Sequence, residues 1–149
     1  MSACGPGRPL PKHVSEDERP AIVVAVASHA RDTLALHEVL AGIEEEGVPV
    51  RLLDPAMTSV DARADARAQA QLAAGSSVLG VGIAVTAAGV CLHLARFDPE
   101  RPLIELADSD PASLRTLGHN AARVVKIVPL KGASFASSAT TAPNEERAA

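Results

Sequence analysis

Aromatic side chains are almost missing from this chain: Phe97 and Phe135 are the only two, and there is no Trp or Tyr. That removes the stacking surfaces on which single-stranded nucleic acid is held. It also leaves the core to small residues, 29 of which are alanine. Positive charge is not in surplus either. The 14 Lys and Arg face 18 Asp and Glu, for a net charge of −4, so no basic field favours nucleic acid as a partner. Two cysteines, Cys4 and Cys91, are too few for a disulfide framework. The longest apolar run falls far short of the roughly 20 residues of a membrane span. The opening MSACGPGRPLPKHVSEDERP has no apolar stretch of signal-peptide type. Together these absences lead us to expect a reduced, cytosolic protein with no membrane contact.

At 149 residues the chain can build one domain with a substantial core, and nothing in its length asks for two. Residues 1–20 are rich in Pro, Gly and charge, and residues 132–149 are rich in Ser, Thr and Ala without periodicity. Neither end carries enough apolar surface to offset its ordering entropy, so both read as disordered tails around a domain at 21–131.

Within that domain, Ala21-Ile-Val-Val-Ala-Val-Ala27 is apolar at every position, the pattern of a strand covered on both faces. Leu36, Val39, Leu40 and Ile43 then recur at helical spacing, Gly47 supplies a stop, and Val50 to Asp54 reads as the next strand. DARADARAQAQLAA alternates alanine with polar residues, yet alanine's propensity favours a helix, with Thr58 and Asp61 as a capping pair. Val78 to Thr86 and Val90 to Ala95 are strands separated by so short a link that they must form an antiparallel hairpin. Leu103 to Leu106 is a further short strand. Asp110-Pro111 opens a last helix carrying Leu114, Leu117, Ala121, Val124 and Val125, which stops before Pro129. The expected fold is a three-layer α/β domain whose mostly parallel sheet of about five strands has one antiparallel member.

Motifs that could carry chemistry are sparse. Gly80-Val-Gly82 lacks the third glycine of a dinucleotide fingerprint, since Val85 stands there, and lies within a strand; close backbone packing explains it better. The histidines at 13, 29, 37, 93 and 119 show no zinc-type spacing. Cys91 sits in an apolar strand, unlike a low-pKa thiol. Ser28 and His29 lie at the strand edge where open α/β sheets bind ligands, which keeps a small ligand-binding domain as one alternative. No acid, base and nucleophile converge, so an autonomous enzyme is not expected.

One run asks for an explanation. Gly42-Ile-Glu-Glu-Glu-Gly47 puts three carboxylates on the last turn of a helix, beside the negative end of its macrodipole, where each exposed anion costs about 0.3–1 kcal/mol. At about 100° per residue Glu45 points nearly opposite the buried stripe, with Glu44 and Glu46 flanking it. Glutamate is a good helix former and a solvated face tolerates it, which is the plain explanation. The sharper one is that this acid meets a cation, or a metal-bearing site, on another protein.

The blocks GIEEEGVPV, VGIAVTAAGVCLHLA, ADSDPASLRTLG and HNAARVVKIVPL, in this order over most of residues 21–131, resemble the small subunit of the reactivating factors for adenosylcobalamin-dependent diol and glycerol dehydratases. The stretch from Arg115 to Leu130 is the most specific of them. The resemblance implies the fold of the dehydratase medium subunit, which is anticodon-binding-domain-like, and a non-catalytic role. It also implies a large-subunit partner with a chaperone-like ATPase domain, transient exchange onto the dehydratase large subunit, and release of spent cobalamin. Mg²⁺ and ATP or ADP would be held by the partner, with Glu45 directed at that Mg²⁺ in trans and Glu44, Glu45 and Glu46 at the interface. The cytoplasm, including a bacterial microcompartment, is the implied location. A medium-subunit-like component of the dehydratase itself would share the fold and stands as the other alternative.

Overall fold

The run at 21–27 becomes strand β1 (Ile22–Val26), whose side chains are buried on both faces as its unbroken apolar pattern requires. A computed structural model describes residues 19–27, 30, 33–53, 66–107 and 110–132. Helix α1 (Leu34–Glu45) follows, its N-terminus capped by Thr33, whose hydroxyl accepts from the Leu36 N–H at 3.4 Å. Then come β2 (Val50–Leu52), α2 (Ala66–Ser76), β3 (Val81–Thr86), β4 (Gly89–Leu94), β5 (Ile104–Leu106) and α3 (Pro111–Lys126). Apart from Arg19, Pro20 and Gly132, the expected tails lie outside the described residues, as do Thr58 and Asp61.

The strands form one sheet in the order β2-β1-β3-β4-β5. β1 pairs in parallel with β2 and β3, while β4 is antiparallel to both β3 and β5. Four strands therefore point one way and β4 alone opposes them, as the short link after Thr86 requires. Thr86 closes that link, its hydroxyl accepting from the Ala88 N–H at 3.2 Å and donating to the Gly89 carbonyl at 3.0 Å. Asp110 caps α3 by accepting from the Ser113 N–H at 2.7 Å, with Pro111 as first helical residue.

Helices cover both faces of the sheet. On one, Ile22, Val24, Ile83, Val85 and Leu92 meet Leu36, Val39 and Ile43 of α1 and Leu114, Leu117 and Ala121 of α3. On the other, Val23, Ala25, Ala84 and Cys91 meet the alanines of α2. Lacking large aromatics, the core reaches native density by bringing backbones close together. A β-carbon at Gly82 would strike the Ala74 nitrogen and lie 2.5 Å from the Ala70 carbonyl oxygen, so this glycine lets α2 rest directly on β3.

The second close approach joins α1 to α3. A β-carbon at Gly42 would collide with the Arg115 carbonyl oxygen, and one at Gly118 with the Val39 carbonyl oxygen, while each would lie 3.1 Å from the Cα of the other glycine. Glu38 meets Arg115 at one end of this contact and Glu46 meets Lys126 at the other, so the two helices run in the same direction. Their negative ends lie side by side.

Because those neighbours are backbone atoms that cannot rotate away, Gly118→Ala should destabilise the fold by about 1–3 kcal/mol, the usual range for overpacking. Urea unfolding measures it as a lower midpoint at an unchanged slope. A midpoint equal to that of the wild type would show that the helices separate freely and that the contact sets nothing.

Candidate functional site

Two parallel helix ends and three consecutive carboxylates concentrate negative charge at one corner of the domain, and α3 answers it. Arg115, His119 and Arg123 recur every four residues along the side of α3 next to α1, and Lys126 and Lys131 complete the row. Arg115 bonds Glu38 at 2.8 Å and Glu45 at 3.2 Å. His119 Nε2 lies 2.7 Å from Glu45 Oε2. Glu46 receives Arg123 at 3.1 Å and Lys126 at 2.7 Å, with Lys131 Nζ at 3.7 Å. Lys126 also donates to the Glu46 carbonyl at 3.1 Å, satisfying an end-of-helix acceptor that would otherwise need water. The acids at the end of α1 are thus balanced within the chain, a pairing that the spacing of α1 by itself does not show.

The three glutamates divide by environment. Glu46 is the most enclosed, its side chain 12% exposed under three cations. The Lys126 hydrogen bond, followed by that from Arg123 and the two charges, holds its carboxyl at about 2 against an ordinary 4.5, although partial burial pulls the other way. Glu45 keeps 47% of its side chain exposed beside its two partners. Its pKa is also lowered, first by the His119 hydrogen bond and, beyond an opposing desolvation, by the charges of Arg115, His119 and Lys131. Glu44 is exposed. The outward direction expected for Glu45 therefore holds, while Glu46 turns back toward α3.

A second set of contacts keeps the cation row in place. Asn120 is buried and bonds both backbone groups of Lys131: its amide donates to the carbonyl at 2.7 Å, and its oxygen accepts from the N–H at 2.6 Å. Arg123 adds a bond to the Pro129 carbonyl at 2.9 Å. The segment after α3 is thereby held against the helix, with Lys131 Nζ 3.4 Å from His119 Nδ1. A lysine offers only donors, so Nδ1 is the acceptor and Nε2–H donates to Glu45.

The other sequence candidates are not gathered into a site. Ser28 and His29 lie outside the described residues. His93 is fully buried: Nδ1 accepts from the Leu94 N–H at 2.9 Å, which leaves Nε2 as donor to the Pro99 carbonyl at 3.2 Å. Cys91 is buried against α2. Among the described residues, no three of His, Cys, Asp and Glu converge into a group that could hold a metal ion, and no helix is long and apolar enough to cross a membrane. A cleft of about 480 Å³ lies between β5 and α3. Of its polar lining, Asn120 is taken up by Lys131 and Glu105 by Arg67, which it meets at 2.8 Å.

A three-layer α/β domain with one reversed strand and a charge-laced helix pair defines the class: a small single-domain subunit whose most distinctive surface is an acidic helix end. The chain belongs to the dehydratase medium-subunit family, which matches it over residues 19–131. It is 40% identical over 120 residues to the propanediol dehydratase-reactivating factor small subunit of Salmonella typhimurium, covering 78% of this chain and 95% of that relative. It is 41% identical over 114 residues to the diol dehydratase-reactivating factor small subunit of Klebsiella michiganensis, covering 75% and 84%. Among solved structures, a diol dehydratase-reactivating factor complexed with ADP and Mg²⁺ superposes with a TM-score of 0.66 at 38% identity, covering 76% of this chain and 99% of that one. A glycerol dehydratase reactivase superposes at 0.67 and 34% identity, covering 76% and 98%.

The Glu46 cluster makes a pH prediction. A carboxyl whose folded pKa is depressed stabilises above its ordinary pKa, and that contribution is lost as pH falls through the folded value. Wild-type stability should therefore decline between pH 4.5 and about 2 more steeply than that of Glu46→Gln. Denaturant midpoints across this window measure it, and parallel profiles for the two proteins would contradict the assignment.

Proposed function

We propose that this chain is the small, non-catalytic subunit of a complex that reactivates a cobalamin-dependent diol or glycerol dehydratase, acting as a placeholder surface. In this reading it binds a large subunit that carries the ATPase activity and the Mg²⁺-nucleotide site. It exchanges with the medium subunit of a dehydratase whose cofactor is spent, opening a route for the damaged cobalamin to leave. The shared medium-subunit family supports the exchange, because two proteins of one fold can occupy one docking position in turn. The cytoplasm, including the interior of a bacterial microcompartment, is the location this role implies.

The observation that carries the reading is Glu45: an ionised, half-exposed carboxylate fixed at the end of a helix whose partner helix anchors it. Mg²⁺ takes one or two carboxylates along with nucleotide phosphates and several waters. Glu45 fits the role of a single carboxylate supplied from across an interface. Glu46, enclosed by Arg123, Lys126 and Lys131, fits it poorly and serves to hold the face together. A contact that depends on which nucleotide the partner holds couples nucleotide turnover to the grip on this subunit. Reversible exchange needs such a coupling.

Glu45→Ala tests this reading. The substitution removes an exposed surface pair and should leave the thermal midpoint nearly unchanged. Affinity for a cognate large subunit loaded with ADP and Mg²⁺ should fall by roughly five- to a hundredfold, the usual span of a coupling energy. Isothermal titration with and without nucleotide separates the two effects. Undiminished, nucleotide-dependent binding by the variant would remove Glu45 from the role.

A further inference from the structure

The residue that ends α3 is an isoleucine where the backbone favours glycine. Ile127 has φ 56° and ψ 49°, the left-handed conformation, and is the only non-glycine residue with positive φ among those described. A β-branched side chain is strained there, because its β-carbon crowds the neighbouring carbonyl oxygen. Glycine or asparagine closes a helix in this way without that strain. The hydrogen bonds of the cap come from the backbone alone: Ile127 N–H to the Val124 carbonyl at 3.3 Å and Val128 N–H to the Arg123 carbonyl at 3.0 Å. The isoleucine side chain contributes nothing to the turn. It contributes little to the core either, since the residue is 92% exposed.

Its surroundings give the exposed side chain a context. Ile127 stands at the rim of a groove of about 540 Å³ lined by Leu79, Leu94, Val124 and Val125, with Arg96 also on its wall. Val128, the next residue, is a further exposed aliphatic at 40%. The residue before, Lys126, bonds the carboxylate and the carbonyl of Glu46, so Ile127 emerges from the same end of the helix pair as Glu45. An apolar projection, a groove and an outward carboxylate are continuous on one end of the domain.

We infer that Ile127 is an apolar anchor for the reactivase large subunit, entering an apolar depression on it while an aliphatic segment of the same partner, edged by a carboxylate for Arg96, lies in the groove. The inference deepens the proposed function and rests on it. Continuity with the Glu45 face selects this occupant over a second copy of the chain, since a partner reached by the carboxylate is brought to the groove as well. A strained residue kept at an exposed helix end is accounted for if the partner buries it, because binding energy concentrates in a few well-buried apolar anchors.

The test compares Ile127→Gly, Ile127→Asn and Ile127→Leu in the full chain by titration against a cognate large subunit, with thermal unfolding of each variant alone. Gly and Asn suit the left-handed turn but lack the aliphatic side chain; both should leave the unfolding midpoint equal to or above that of the wild type and weaken binding at least tenfold. Leu keeps an aliphatic side chain and should bind within about threefold of the wild type. A glycine variant that binds within twofold of the wild type overturns the anchor while leaving the proposed function standing. A wild-type chain that does not bind the large subunit overturns the proposed function, and the anchor with it. Sedimentation of the isolated chain adds one more decisive outcome: self-association abolished by Ile127→Gly would assign the face to a second copy and overturn the inference.

Discussion

The approach of α1 to α3 at Gly42 and Gly118 is the contact on which the rest of the functional end depends. With no β-carbon on either residue, two helix backbones meet directly. This fixes the registry of every side chain along the seam: Glu38 opposite Arg115, Glu45 opposite Arg115 and His119, and Glu46 opposite Arg123 and Lys126. Parallel helices packed so closely place their negative ends together. The cations of α3 are the electrostatic condition for that packing as much as ornaments of the surface.

This arrangement reconciles two demands on one helix end. A docking surface that must present an anion needs that anion fixed in direction, since a carboxylate swinging on a solvated stem loses rotamer freedom on binding. A fold needs its like charges balanced. Dividing the labour between neighbours meets both: Glu46 turns inward and is enclosed by cations, while Glu45 keeps one side bound to Arg115 and His119 and the other open. The Asn120 clamp on Lys131 extends the same logic, because it ties the segment after α3 to the helix and holds a further ammonium against His119. Scarcity of large side chains runs through the whole design. A core of valine, isoleucine, leucine and alanine fills space by letting backbones approach, at Gly82 beneath α2 as much as at the helix pair.

Most of this fold was legible in the chain. Continuous apolar runs marked β1 and β3, the link after Thr86 forced the hairpin, and Asp110-Pro111 announced α3, because each of these signals is local. Alanine's propensity, set against the strand-like alternation of DARADARAQAQLAA, gave the right element for α2. The outward direction of Glu45 followed from helical periodicity. What the chain did not disclose by periodicity was the pairing across the seam, since Glu45 and His119 are 74 residues apart and only the tertiary contact brings them together. One signal was available and pointed there: Gly42 and Gly118 are isolated glycines inside strongly helical patterns, where such a residue costs about 1 kcal/mol unless packing needs it. The left-handed turn at Ile127 left no trace at all, because an isoleucine at a helix end suggests continuation of the helix.

The central claim is that Glu45, steadied by α3, reaches the metal of a partner's nucleotide site. The most direct measurement replaces Mg²⁺ by Mn²⁺ in the ADP-loaded complex with a cognate large subunit, using this chain labelled with ¹³C at its glutamate carboxylates. Electron–nuclear double resonance should then show a carbon coupling of the size given by a directly bound carboxylate, and Glu45→Gln should abolish it. A labelled, fully assembled complex whose manganese shows no such coupling would contradict the account.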